Sequence, residues 1–115
     1  MGVSDIQPTE ALSQVVFVHD YIQLVFQEER FSIYNRASAV CNGVATEQDQ
    51  PGFADALVSL IGQRVVRAAQ SENPLLLLTF ESGAVVHVLG GAAARGVEAY
   101  QFNGSNGAWF VAQNA

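Results

Sequence analysis

The stretch PLLLLTFESGAVVHVL, residues 74 to 89, holds two apolar runs on either side of one short polar break. Short apolar runs that flank a turn signal are typical of two antiparallel strands. An earlier stretch, YIQLVFQEERFSIYN, residues 21 to 35, has the same form. Placing Phe26 beside Phe80 aligns the two stretches, so the sequence predicts the same hairpin twice and suggests an internal duplication.

Each hairpin extends into a three-strand meander, because VVFV precedes the first and RVVRAA precedes the second. Between the meanders the apolar period changes from two to that of a helix in PGFADALVSLIG. Its apolar stripe comprises Phe53, Ala56, Leu57, Leu60 and Ile61. Pro51 suits a first helical turn and Gly62 a helix end, so we expect an amphipathic helix over residues 51 to 62.

The remaining segments complete the predicted architecture. Residues 1 to 13 are polar and form either a short helix that begins at Pro8 or a disordered segment. Asn42-Gly43 marks a turn that leads into an acidic surface loop. The tail GVEAYQFNGSNGAWFV, residues 96 to 111, predicts a hairpin that follows a helical turn, with a helix over residues 92 to 100 as the alternative. The predicted fold class is α+β: a single domain, residues 1 to 115, with two antiparallel three-strand meanders flanking one central amphipathic helix, plus a C-terminal hairpin.

Composition and charge exclude several classes of partner. A chain of 115 residues, half of them hydrophobic, suits one domain with one core. Eleven acids stand against five basic residues, all of them arginine, for a net charge of −6. Such a chain lacks the basic surface that nucleic acids and anionic lipids require, whereas its acidic surface suits a basic partner. Without a signal-peptide pattern or an apolar run of ~20 residues, and with the lone Cys41, we expect a cytoplasmic protein.

Residues capable of catalysis or metal binding do not form a recognisable motif. His19, Asp20 and His87 could provide a two-histidine, one-carboxylate metal site, but their spacing matches no known pattern. Cys41 could act as a nucleophile beside a histidine, yet no family signature surrounds it. The glycines of HVLGGAAARG, residues 87 to 96, lack the spacing of a phosphate-binding loop. We therefore predict a protein that is not an enzyme and has no metal or cofactor.

The large number of apolar residues on one predicted strand instead predicts contacts with another protein chain. Leu75 to Leu78 place leucines on both faces of one strand, which must then be covered on both sides. The helix covers one side, and the other half-sheet, the tail with Trp109 or a second copy of the protein covers the other; a homodimer is the commonest solution. Aromatic side chains offer large contact area at low entropic cost. The candidate contact residues are Tyr21, Gln23 and Tyr34 on a sheet face, His87, and the tail residues Tyr100, Trp109 and Phe110.

Two other functions remain open at this point. One is a small-ligand module, with a pocket between sheet and helix that His87 would gate. The residues expected to line that pocket are Phe26, Phe31, Leu57 and Phe80. The other is an enzyme whose histidines and cysteine meet only in the folded chain.

A pattern near the end of the chain resembles a group of known proteins. The combination LxFESGxxxxV, residues 78 to 88, followed by GVEAYQF, residues 96 to 102, and WFV, residues 109 to 111, resembles small uncharacterised bacterial α+β domains. Some members of that group are immunity-type proteins found beside toxin systems. The resemblance implies a domain that acts by binding a protein, and it offers no catalytic residues for this chain.

Overall fold

Strands dominate the computed structural model, which describes residues 6–105 and 107–114. The first five strands are β1 (Gln14–Val18), β2 (Tyr21–Phe26), β3 (Glu29–Ile33), β4 (Ala37–Cys41) and β5 (Val44–Glu47). After the α-helix α1 (Phe53–Val58) come β6 (Val65–Gln70), β7 (Leu76–Phe80), β8 (Val85–Val88), β9 (Glu98–Asn103) and β10 (Trp109–Gln113). A 3-10 turn, Gly91–Ala93, lies between β8 and β9.

The ten strands of the described residues form two antiparallel sheets of five. The first sheet has the order β1-β2-β3-β9-β10, and the second has the order β5-β4-β8-β7-β6. Each meander thus supplies three neighbouring strands to its own sheet, and the hairpin that follows it joins the other sheet. Strands β1, β2 and β3 of the first sheet correspond to β6, β7 and β8 of the second, and β9 and β10 correspond to β4 and β5. The fold is therefore an internal repeat in which the two halves exchange their second hairpins.

The core lies between the inner faces of the two sheets. In β2 the side chains alternate, with Ile22, Leu24 and Phe26 buried and the residues between them half exposed. The inward residues of β7 are equally buried. Phe26 of the first sheet stacks on Phe80 of the second, with ring centroids 6.5 Å apart and an angle of 20° between the rings. This contact joins the two halves of the repeat at the alignment that the sequence predicts.

Helix α1 packs at one side of the molecule. It begins after Gly52, whose φ of 93° is readily adopted only by glycine, and it places Phe53 and Leu57 in the core. The helix contacts β1 of the first sheet together with β4 and β5 of the second. Since β1 and β5 are edge strands, α1 connects the two sheets along this side.

The predicted α+β class is wrong, because the molecule is mostly β. Strands account for 47% of the structure and helices for 9%, and the core is sheet against sheet with no helix at its centre. The two strands that the sequence analysis did not predict are β4 and β5. They follow Asn35, where the sequence lacks the long apolar runs of the other strands, and VATE of β5 was interpreted as surface loop. Of the two, β5 is a short edge strand, which needs little apolar content because one face and one edge remain in water, whereas the inward residues of β4 are the small Ala37 and Ala39.

Two local predictions also need correction. The expected helix over residues 51 to 62 is shorter, and Ile61, assigned to its apolar stripe, is exposed. Residues 7 to 13 form neither a helix nor a disordered tail: Leu12 donates to Gln63 O at 2.9 Å and accepts from Gly62 N at 2.8 Å. Residues 1 to 5 lie outside the described residues. The predicted C-terminal hairpin is present as β9 and β10.

Candidate functional site

Several of the predicted contact residues share the outer face of the first sheet. Strand register places Tyr21, Gln23 and Tyr34 on the face opposite the core, and Trp109 of β10 lies on the same face. The tyrosines and Gln23 are half buried, whereas Trp109 is 66% exposed. We call these four residues together with Ser32, Gln101 and Asn103 the aromatic face. The structure thus brings Trp109, which was predicted as a contact of the tail, onto the face of the three residues that were predicted together.

Side-chain hydrogen bonds hold the polar part of the aromatic face in place. Gln23 Nε2 donates to Ser32 Oγ at 3.2 Å, and the Tyr34 hydroxyl donates to Gln101 Oε1 at 3.2 Å. Gln101 Nε2 in turn donates to Asn103 Oδ1 at 3.3 Å. These contacts run across β2, β3 and β9, so the rotamers on this face are restrained before any partner binds.

A cleft of about 520 Å³ opens at one end of the aromatic face. We call it the tyrosine cleft; its lining comprises Asp20, Tyr21, Tyr34, Arg95, Gly96, Val97 and Glu98. The two tyrosine rings lie with centroids 5.5 Å apart and an angle of 51° between them. Burial, followed by the nearby Glu98 carboxylate, raises the pKa of Tyr34. The tyrosine therefore stays neutral at physiological pH, with its ring at the cleft wall.

A pair of asparagines fixes the wall of the tyrosine cleft. Asn35 is fully buried, and its Nδ2 donates to Leu89 O at 2.8 Å and to Asn114 Oδ1 at 2.7 Å. Asn114 Nδ2 donates back to Asn35 Oδ1 at 2.9 Å and also to Gly96 O at 2.9 Å. The loop before β9 is thus tied to the end of the chain and to the end of β3.

The free edge of β1 is the second notable surface. The two-residue turn His19–Asp20 makes Val18 and Tyr21 a hydrogen-bonded pair, and such pairs alternate along an antiparallel ladder. The backbone N–H and C=O groups of Val15 and Phe17 consequently point away from β2. Within residues 6–105 and 107–114, no other strand pairs with them. Phe17 is 50% exposed at this edge.

The other predicted contact residues lie elsewhere. Tyr100 is a core residue, 1% exposed; its hydroxyl accepts a 2.7 Å hydrogen bond from Gln70, and burial raises its pKa. Phe110 is half buried and packs on the Tyr100 ring at 6.1 Å. His87 lies on the outer face of the second sheet, with Nδ1 3.4 Å from Ser38 Oγ. Tyr100 is therefore unavailable as a surface contact, and His87 is on the opposite side from the aromatic face.

The residues proposed for chemistry are dispersed. His19 lies in the β1–β2 turn, whereas Cys41 ends β4 with its Sγ directed at Ala56 O, 3.7 Å away. Across the described part of the chain, no three His, Cys, Asp or Glu side chains lie close enough to hold a metal ion. The 3-10 turn Gly91–Ala93 has no side-chain cap, and the chain continues through it to Arg95 at the tyrosine cleft.

The expected small-ligand pocket is not formed by its predicted lining. The side chains concerned are each at most 1% exposed and belong to the core cluster: Phe26, Phe31, Leu57 and Phe80. Phe26 contacts Phe31 edge to face, with centroids 6.4 Å apart, so these rings fill the space between the sheets. His87 faces outward from the second sheet and does not gate this region.

Sequence reasoning missed the second wall of the tyrosine cleft. Asp20 is adjacent to Tyr21, but Arg95 to Glu98 come from more than 60 residues further along the chain. Only the pairing of β3 with β9 brings them together, and no local pattern encodes that pairing. Sequence reasoning also did not single out Glu29, which is buried at the start of β3, where Thr9 N and Thr9 Oγ1 donate to its Oε1 at 2.8 and 3.0 Å.

Comparisons with known proteins give no family assignment. No family model, no curated protein and no solved structure matches this chain. The resemblance to immunity-type domains therefore stays a hypothesis. No helix in the described residues has the length and apolar character required to cross a bilayer.

Proposed function

We propose that this protein is a non-enzymatic protein-interaction domain that binds a second copy of itself through the free edge of β1. One observation carries the proposal: β1 is a regular, uncharged edge strand with an exposed aromatic side chain, Phe17. An unpaired row of backbone donors and acceptors is a template for another strand. The bound state we propose is a homodimer.

A comparison of the four sheet edges supports the choice of β1. Sheets commonly protect their edges with charged residues or bulges. In the second sheet, β5 carries Glu47, and β6 carries Arg67 with a register shift beside it. In the first sheet, β10 has a register shift at Ala112/Gln113. The sequence of β1, QVVFV, has no charged residue and no proline, and its five pairs with β2 are regular.

The geometry of pairing follows from the alternation along β1. Two antiparallel copies related by a two-fold axis near Val16 would satisfy the outward backbone groups of Val15 and Phe17. Val16 would then meet Val16 of the second copy on the outer face of the sheet, and Val18 would lie opposite Gln14 of the second copy. Phe17 would lie on the other face, where α1 packs beside β1 and exposes Val58. The dimer would thus contain a continuous ten-stranded sheet with two copies of the aromatic face on one side.

A charge placed on the edge tests this interface. The variant Val16→Lys places two ammonium groups near each other at the two-fold axis, and we expect at least a roughly tenfold weaker dimer because like charges opposite each other repel. The matched control is Val66→Lys, which adds the same charge to β6, an edge strand of the second sheet, where Val66 is 55% exposed. Sedimentation equilibrium gives the dissociation constant of each variant. Equal weakening in both variants, or none in Val16→Lys, would contradict the proposal.

A further inference from the structure

The internal repeat supplies a comparison for the tyrosine cleft within the same molecule. Ile22 pairs with Ile33 in the first sheet, and Leu76 pairs with Val88 in the second. The next pair outward is Tyr21 with Tyr34 in the first half, and its counterpart in the second half is Leu75 with Leu89.

In the second half of the repeat, aliphatic side chains occupy the position that corresponds to the two tyrosines. Leu75 packs on Gly90, with its Cγ 3.0 Å from the point where a Cβ at Gly90 would lie. Leu75 and Leu89 are both half buried. The fold therefore does not require aromatic rings or hydroxyl groups at this position. The two tyrosines of the first half need another explanation, and ligand binding is the one that their surroundings favour.

The chemistry of the tyrosine cleft favours a cation. The faces of tyrosine rings attract a cation within about 6 Å of the ring centroid. The two rings line the same cleft, side by side and tilted at 51° to each other. The carboxylates of Asp20 and Glu98 line the same cleft, and Glu98 acts electrostatically on the Tyr34 hydroxyl. The tyrosine rings and the carboxylates of the cleft therefore both attract a cation.

Arg95 is the opposing charge at the cleft. Its guanidinium contributes to the lowered pKa of Asp49, a carboxylate that also accepts a hydrogen bond from Arg36. Arg95 thus acts on Asp49 as well as on the cleft. The lining of the cleft holds two carboxylates against this one guanidinium, together with two tyrosine rings.

We propose that the tyrosine cleft binds an ammonium or guanidinium group, supplied by a lysine or arginine side chain on a basic protein partner. Charge complementarity identifies the partner's chemistry, since this chain carries a net charge of −6 and has no lysine of its own to supply an ammonium group. The inference stands apart from the pairing of β1, because it uses different residues and requires no second copy.

Nuclear magnetic resonance titration with three blocked amino acids tests the inference. The probes are N-acetyl-lysine methylamide, N-acetyl-arginine methylamide and the neutral N-acetyl-norleucine methylamide, at low ionic strength. We expect the two cationic probes to shift the amide resonances of Tyr21, Tyr34, Val97 and Glu98 in a saturable way, and the neutral probe to leave them unchanged. Shifts of equal size with norleucine would overturn the proposal, as would shifts with inorganic phosphate or glucose and none with the cations.

Variants separate a built site from a general effect of net charge. Glu98→Gln removes a carboxylate of the cleft, and we expect the cationic probes to bind it roughly two- to fivefold more weakly, as for the loss of one exposed ion pair. The control Glu28→Gln makes the same charge change in the β2–β3 turn, at the far end of β2 from Tyr21, and should retain the affinity. Tyr34→Leu copies the side chain of Leu89 and should keep the fold while losing probe binding. Equal weakening by Glu98→Gln and Glu28→Gln would overturn the proposal.

Discussion

Asn35 shows how a single side chain can organise distant parts of this molecule. Its amide lies at the junction of three segments: the end of β3, the loop before β9 and the end of the chain. A buried amide satisfies all of its hydrogen bonds only when these segments are correctly placed. Asn35 is thus a positioning residue for the wall of the tyrosine cleft.

Truncation of this side chain should be costly. Asn35→Ala leaves Leu89 O without its side-chain donor and Asn114 without its reciprocal partner, so we expect a loss of about 1–3 kcal/mol in the free energy of unfolding. Chemical denaturation of the unmodified protein and of Asn35→Ala measures the loss. The control Asn103→Ala removes one 3.3 Å hydrogen bond on the outer face and should cost less than about 0.5 kcal/mol. Equal losses of stability in Asn35→Ala and Asn103→Ala would contradict a stabilising role for the buried Asn35–Asn114 pair.

An ion pair at the surface gives a prediction about pH. Arg36 donates to the Asp49 carboxylate and lowers the pKa of Asp49. Because the folded pKa lies below the unfolded one, the stabilisation is present above the ordinary aspartate pKa and is lost as the pH falls through the folded value. Solvent exposure keeps its contribution to stability small. Titration of side-chain carboxyl resonances should show the lowered pKa, and Arg36→Gln should raise it; an unchanged value would contradict the ion pair.

At the scale of elements, the tight turns are the part of the structure most directly encoded in the sequence. Asn42 and Gly43 both have positive φ, 54° and 76°, and join β4 to β5. This conformation is the one that Asn-Gly favours in two-residue hairpins. The turn was predicted from this dipeptide alone, although the strands on either side of it were not.

The same turn supports a mutational test. Gly43→Ala places a Cβ at a positive φ, so we expect a loss of about 1 kcal/mol in the free energy of unfolding even though no atom lies within 4 Å of the new methyl group. Gly96→Ala is the control, since the φ of Gly96 lies outside the left-handed region and its Cβ would also meet nothing. Thermal denaturation compares the two variants. A control as destabilised as Gly43→Ala would mean that backbone strain is not the cause.

Strands with alternation or with a clear apolar run could be located from sequence, whereas strands that lack both could not. Tyr21 to Phe26 carries the period-2 pattern of one buried face, while Leu76 to Phe80 and Val85 to Val88 are apolar runs on either side of a turn, and the predicted strands are present in both places. The apolar residues from Phe53 to Leu60 also bury one stripe, yet the helix ends at Val58 and packs at the side of the molecule. Periodicity indicates which residues are buried, but it does not say which element occupies the centre.

At the scale of the whole molecule, the repeat was detectable, but its assembly was not. The alignment of Phe26 with Phe80 was readable from the two hairpins, and these rings do meet in the core. The exchange of the β4–β5 and β9–β10 hairpins between sheets depends on long-range pairing, which leaves no local pattern in the sequence. For the same reason the tyrosines could be chosen as contact residues while the opposite wall of their cleft could not.

The contact between the two sheets can be measured as a coupling energy. Phe26→Leu, Phe80→Leu and the double variant form a cycle across the stacked pair. We expect a coupling of about 0.5–1.5 kcal/mol, because the rings contact each other in addition to burying apolar area. Chemical denaturation of the four proteins gives the coupling. Strictly additive losses would contradict a direct contact between the halves of the repeat.

The central claim is that the regular, uncharged edge strand β1 makes this domain associate with itself. The most direct test is the solution mass of the unmodified protein, measured by light scattering over a range of concentrations. The account predicts a mass that rises with concentration to twice the 12.3 kDa of a single chain and no further, since the pairing of β1 is closed by its two-fold axis. A mass that stays at 12.3 kDa at all concentrations would contradict the claim.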